Sequence, residues 1–331
     1  MISSSMDAAR SSMSKFDPYE HLKVSLNNDG SLTRFVHLPS TPATGENPPA
    51  VIKGQAAVSK DVILDEKKNT WIRIFLPTRI PSNDKAIAKL PIIFYFRPGG
   101  WILFSVADTM IHESCNLLCS ETPAIVVAVE YRLAPESRLP AQYEDAMEAV
   151  MWVREQATAA RGDSWLRIFG DFSRCYLYGV SSGANVAYNV ALLAAEREMG
   201  PLNVAGVILN QPLFGGKKRT ESEMKLAADE YLPLPVMDMQ WEMALPKGAD
   251  RDHRFCNPMV GGSGAAEKLR RLLVIGFGGD PLIDRQQEFV QMLVMRGVSV
   301  DARFDGVGFH GIDMVDSRTA AAILTFIKDF V

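Results

Sequence analysis

Apolar and polar positions change period repeatedly from about residue 70 to the C-terminus. Residues 71–76 alternate apolar and polar, as an antiparallel strand does. Residues 91–96 (PIIFYF) and 124–129 are continuous apolar runs, the pattern of strands covered on both faces. Residues 175–178, 204–209, 272–276 and 298–304 read as further strands. Between them, 108–119, 143–156, 184–198, 286–296 and 318–331 suit helices, with Ala146, Val150 and Val153 on one side of the second. Residues 77–90 are polar and punctuated by prolines, so they read as a loop. Asn27-Asn28-Asp29-Gly30 marks a turn between short apolar runs. Strand–helix alternation on this scale predicts an α/β fold, a mostly parallel sheet with helices on both faces. Two stretches break the alternation, 1–45 and the Met-rich 215–247. They read as a separate layer over one end of the sheet.

Composition narrows the partners. The 331 residues are 47% apolar and carry 35 Lys and Arg against 39 Asp and Glu, a net charge of −4. This is an ordinary globular mixture with no broad positive field, so nucleic acid is not an expected partner. No apolar run approaches the ~20 residues of a membrane span. The N-terminus is Ser-rich without an apolar signal core, so secretion is not expected. Cys115, Cys119, Cys175 and Cys256 lack paired zinc spacing and read as reduced thiols of a cytoplasmic protein. Cys115 and Cys119, one helical turn apart, suit plain packing.

The chemistry concentrates in four places. Gly179-Val180-Ser181-Ser182-Gly183 is G-x-S-x-G between a strand and an Ala-rich helix, the context of a nucleophile elbow. A serine needs a base to attack near neutral pH. Of the five histidines, His253 and His310 follow Ser181. His310 follows the 298–304 strand in a Gly-rich loop, where a base can overhang the carboxyl edge of a sheet. His253 lies in a charged run and reads as solvated or structural. The orienting acid should follow a strand between nucleophile and base, which favours Asp280. Asp284, one helical turn on, is the rival, better suited to capping or pairing within its helix. Developing charge on a carbonyl oxygen needs backbone N–H groups. Ser182 supplies one, and the loop after strand 91–96, with Gly99 and Gly100, is placed to supply the rest. Pro98 has no N–H to give.

Together these segments resemble the plant carboxylesterases of the hormone-sensitive-lipase-like group of α/β-hydrolases, over nearly the whole chain. FDPYEHL and NNDGSLTR are similar to the N-terminal segment of that group. YFRPGGWILFS resembles its HGGGF loop, and YRLAPE followed by LPAQYEDA its most recognisable stretch. GVSSGANVAY, GDPLIDRQ and GVGFHGID resemble the elbow, acid and base regions. The resemblance implies one α/β-hydrolase domain, 1–331, with a helical cap formed by about 1–45 and 215–247. It implies nucleophile Ser181, acid Asp280 and base His310, with an oxyanion hole at Gly99, Gly100 and Ser182, and no metal or cofactor. The chain departs from the group at two points. Arg97-Pro98 replaces His-Gly ahead of the two glycines, and the lost histidine normally holds that loop. Val180 stands where Asp is usual.

The expected activity is a serine carboxylesterase acting on a small apolar ester, acetylated specialised metabolites such as alkaloid intermediates among the candidates. Trp101, Phe104 and Trp241 are candidate pocket walls, although Met and Trp residues of the 215–247 segment also suit ordinary core packing. Two other readings remain open at this level. One is a cyclase or eliminating enzyme, motivated by Arg97-Pro98. The other is a receptor-like binder resembling the gibberellin receptors, which lack the histidine present here as His310. Monomer and weak dimer are both open.

Overall fold

The computed structural model describes residues 16–45, 56–80, 82–83, 86–260 and 264–331. A short helix, α1 (Pro18–Leu22), leads into a hairpin of β1 (Val24–Leu26) and β2 (Leu32–Arg34). Its turn is the predicted one, with Gly30 at φ 84°. Strands β3 (Ala57–Asp65) and β4 (Thr70–Pro77) follow, then a two-residue pair, β5 (Ser82–Asn83) and β6 (Ala86–Ile87). From there strand and helix alternate: β7 (Leu90–Phe96), α2 (Thr109–Glu121), β8 (Ile125–Glu130), α3 (Ala141–Gln156), α4 (Ser164–Phe169), β9 (Gly170–Val180) and α5 (Ser182–Ala195). Strand β10 (Val204–Asn210) precedes two helices, α6 (Glu221–Lys225) and α7 (Leu234–Ala244). The chain closes with β11 (Arg271–Phe277), α8 (Ile283–Met295), β12 (Ser299–Asp305) and α9 (Ser317–Phe330).

Eight strands form one sheet in the order β12-β11-β10-β9-β7-β8-β4-β3. Strands β7 to β12 pair in parallel, while β4 runs antiparallel to both β8 and β3. Successive side chains on a strand point to opposite faces. Ile92, Phe94 and Phe96 of β7 therefore join one core, with Val150 of α3, Val190 of α5 and Phe289 of α8. Ile93 and Tyr95 join the other, with Cys115 of α2 and Ile327 of α9. All four cysteines are buried and free. No helix of the described residues is long and apolar enough to cross a membrane.

Three expectations change. The polar position in 71–76 does not face water: Arg73 is buried and makes a two-pronged ion pair with Asp61 of β3. Strand β12 forms as expected but is the sheet edge and largely exposed, with Asp301 and Arg303 along it. Charges of this kind discourage strand pairing with another molecule. Strand β3 and helix α4 carry no clear pattern in the sequence. Lys60 interrupts β3, yet it is buried and ion-paired at 2.5 Å with Asp163, the N-cap of α4.

The two stretches that break the alternation meet in space: α1 packs on α7. Arg34, at the end of β2, donates to the carbonyls of Ile102 and Ala134 and forks onto Glu136. The N-terminal segment is thereby tied to the loop that follows β7.

Candidate active site

Strand β9 turns into α5 through one residue. Ser181 has φ 55° and ψ −119°, a conformation that costs about 1–3 kcal/mol for a residue with a side chain. The surrounding backbone enforces it. Ser181 N–H donates to the Asn210 carbonyl at 2.9 Å, and Leu213 N–H donates to the Ser181 carbonyl at 3.1 Å. The flanking glycines are steric requirements. A Cβ on Gly179 would strike the Gly183 carbonyl, and one on Gly183 would strike the Phe96 and Arg97 carbonyl oxygens. We expect Gly183→Ala to cost at least about 3 kcal/mol, since the obstacle is backbone. The urea midpoint measures this, and an unchanged midpoint would refute the packing argument.

Ser181, His310 and Asp280 come together from three loops. His310 Nε2 lies 2.9 Å from Ser181 Oγ, and His310 Nδ1 lies 3.0 Å from Asp280 Oδ2. A carboxylate only accepts, so Nδ1 carries the proton and Nε2 is free to accept from the serine hydroxyl. Asp280 is fully buried. It accepts from Leu282 N–H, from the Gln286 amide at 2.9 Å and from the Gln211 amide at 3.2 Å. Gln211 also donates to the Phe309 carbonyl and accepts from Gly311 N–H, which brackets His310 on both sides. Burial acts to lower the His310 pKa, but the charge and hydrogen bond of Asp280 outweigh it, so the net displacement is upward.

The other sequence candidates lie elsewhere. Asp284 accepts from Ser222 N–H and so holds the first turn of α6, not its own helix. His253 packs edge-on to Phe255. Trp101 and Trp241 are buried against each other, ring centroids 4.6 Å apart. They belong to the core and offer no open wall to a substrate. Of the three pocket candidates only Phe104 keeps partial exposure.

The loop after β7 is built from unusual backbone. Gly99 and Gly100 have φ 112° and 62°, and Trp101 and Phe104 are also positive. Arg97 is fully buried beneath the loop. Its guanidinium donates to the carbonyls of Phe104 at 2.8 Å and Tyr131 at 3.0 Å, and pairs with Glu130 at 3.3 Å. It also stacks 3.9 Å over the Tyr131 ring, while the Tyr131 hydroxyl donates back to the Arg97 carbonyl. The side chain therefore ties both ends of the loop to the end of β8. Gln240, from α7, packs directly on Gly100. The Ser182 N–H begins α5, where helical geometry leaves it without an intrahelical acceptor.

Residues 93–314 match a family model described as the alpha/beta hydrolase fold. A probable carboxylesterase 9 of Arabidopsis thaliana is 47% identical over 327 residues, covering 98% of this chain and 99% of that one. The chain belongs to the plant carboxylesterases of the α/β-hydrolase fold. A second relative of this family, 3-O-acetylpapaveroxine carboxylesterase of Papaver somniferum, is 41% identical over 326 residues, 95% of this chain and 97–99% of the two forms known by that name. Among solved structures, a hyperthermophilic esterase from Pyrobaculum calidifontis superposes with a TM-score of 0.68 at 26% identity, over 82% of this chain and 84% of that one. The plant carboxylesterase motifs account for one contact seen above and for one more. The Arg and Glu of YRLAPE are Arg132, which forks onto buried Asp145 of YEDA, and Glu136, which holds Arg34. Val180, where Asp is usual, is a buried apolar contact of the second core.

Sequence reading overlooks Gln211, Gln286 and Gln240. Gln211 leaves one signal: Asn210-Gln211 is a polar pair directly after an apolar strand, at the same sheet end as Ser181.

Proposed function

We propose that this plant carboxylesterase hydrolyses small apolar esters through an acyl-enzyme on Ser181. His310 takes the serine proton as Oγ attacks the carbonyl carbon, then returns it to the leaving alcohol. Water, deprotonated by the same imidazole, releases the acid. Asp280 holds the imidazole tautomer and stabilises the imidazolium. The N–H groups of Gly99, Gly100 and Ser182 receive the oxyanion. Segments of about 1–45, of which 1–15 lie outside the described residues, and 215–247 form the cap, with Gln240 reaching from it to the oxyanion loop. The observation that carries this reading is the continuous Ser181–His310–Asp280 hydrogen-bond chain beside a strained elbow. Acetylated alkaloid intermediates are the proposed substrate class, supported by the acetylpapaveroxine carboxylesterases among the relatives.

Hydrolysis of p-nitrophenyl acetate across pH tests the mechanism. The base acts as neutral imidazole, and Asp280 raises its pKa. The rate should therefore rise with pH and level off above a midpoint higher than that of an ordinary histidine. In Asp280→Asn the midpoint should move to lower pH while the plateau falls by about 10⁴-fold. A midpoint that stays put in this variant would remove His310 and Asp280 from their proposed roles.

A further inference from the structure

Behind the His310 loop, on the face of the sheet away from the α5 elbow helix, helices α2 and α9 leave a groove of about 690 Å³. Met110, Leu117, Ala320 and Leu324 give it apolar walls. An inner chamber of about 90 Å³ lies beside it, reaching Tyr95, Tyr178 and Val180. The two share Ser114, Leu117, Asp313, Met314, Ala320 and Leu324 as walls, so they adjoin. The volume of the groove is that of a small-molecule site.

Asp313 stands at the junction. Its Oδ2 accepts from the Asn210 side-chain amide at 3.0 Å, but its Oδ1 is buried with no partner. A buried acceptor without a donor is costly, by about 1–3 kcal/mol for a neutral group and more for a charged one. Burial accordingly pushes the Asp313 carboxyl pKa upward. The missing partner is a donor. The rim selects its charge, with Glu113, Glu121 and Asp316 against the single Lys328.

We propose that this groove is an accessory site for an apolar primary amine, its ammonium on Asp313 Oδ1 and its tail along Leu117 and Leu324. The site is wired to the catalytic loop. Asp313 lies three residues after His310, and Asn210, which holds Asp313, adjoins Gln211, which holds Asp280 and both neighbours of His310. A bound amine would alter the position of His310 without meeting the ester. This coupling rests on the reading of His310 as the base, whereas the binding itself does not.

Binding of hexylamine to the Ser181→Ala protein, followed by saturation-transfer NMR, separates the two. We expect a Kd of about 1 mM or tighter. Asp313→Asn should weaken it at least about tenfold, as loss of a charge-assisted hydrogen bond does. Ala320→Phe, which adds bulk to the groove wall and leaves the carboxylate in place, should weaken it similarly, and hexanoate should not bind. No binding of hexylamine, equal binding to both variants, or equally tight hexanoate would each overturn the site. In the wild-type enzyme hexylamine should change kcat for p-nitrophenyl acetate, with uncatalysed aminolysis subtracted, and leave KM unaltered. Ala320→Phe should abolish that effect. Pure competition with substrate would place the amine at Ser181 and overturn the proposal. If the amine binds as expected and the wild-type protein hydrolyses no ester, the esterase mechanism fails and the accessory site stands.

Discussion

Ser181→Ala should fold as the wild-type protein does and hydrolyse p-nitrophenyl acetate with kcat lower by about 10⁵–10⁶-fold. The size of the loss follows from what the serine does. In the proposed mechanism it forms the bond that splits a difficult hydrolysis into two easier steps, and neither His310 nor the glycine loop replaces that. The fold should tolerate the change. Ser181 makes no side-chain cap on α5, so no helix hydrogen bond is lost. Alanine carries a Cβ as serine does, so the strain at φ 55° neither grows nor relaxes. Residual acceleration over water should persist from the oxyanion loop and binding alone. Near-UV circular dichroism and thermal midpoint report the fold, and p-nitrophenolate release reports the rate. A folded variant with wild-type turnover would remove Ser181 from the mechanism.

Arg97→Ala should be the most damaging change outside the three reacting residues. The guanidinium is wholly buried and donates to the Phe104 carbonyl within the loop and to the Tyr131 carbonyl at the end of β8. Removing it leaves Glu130, itself mostly buried, without its cation. Burial already pushes the Glu130 carboxyl pKa upward, and Arg97, ahead of Val106 N–H and the Ser105 hydroxyl, opposes that. Breaking one partner of such a pair costs about 3–5 kcal/mol. The catalytic effect is separate. The contacts of Arg97 pin the loop that carries Gly99 and Gly100, and losing one proposed oxyanion donor costs about 10²–10³ in kcat. We expect a loss of that order in kcat with a smaller change in KM, beside the drop in stability. Glu130→Gln should lose stability but keep most of kcat, because the carbonyl contacts of Arg97 survive. Unchanged kcat in a folded Arg97→Ala protein would mean the loop holds itself.

The fold is legible because its signals are local. Buried strands such as 91–96 and 204–209 are unbroken apolar runs, and the elbow announces itself by two glycines whose Cβ atoms would meet carbonyl oxygens. Strand β3 escapes because Lys60 and Asp61, two charges in a row, look like surface. Their partners, Asp163 and Arg73, are distant in sequence. The same blindness covers the support of the site. Gln211 and Gln286 are ordinary glutamines until the chain closes around Asp280. Arg97 shows the limit from the other side. The sequence exposes the exchange of His for Arg, but the compensation lies in carbonyls and a carboxylate at the end of β8, which only the fold brings within reach.

The tie made by Arg34 has a consequence for the order in which this protein is made. Its partners Ile102, Ala134 and Glu136 lie 68, 100 and 102 residues further along the chain. At about 5–20 residues per second, synthesis leaves the Arg34 segment waiting on the order of 5–20 s for Glu136 to follow it. The Arg34 segment thus leaves the ribosome well before the partners that fix it and settles only after them. Until it does, the loop after β7 lacks its outer clamp, and a nascent chain can own a finished nucleophile elbow only after still more of the sheet has been translated.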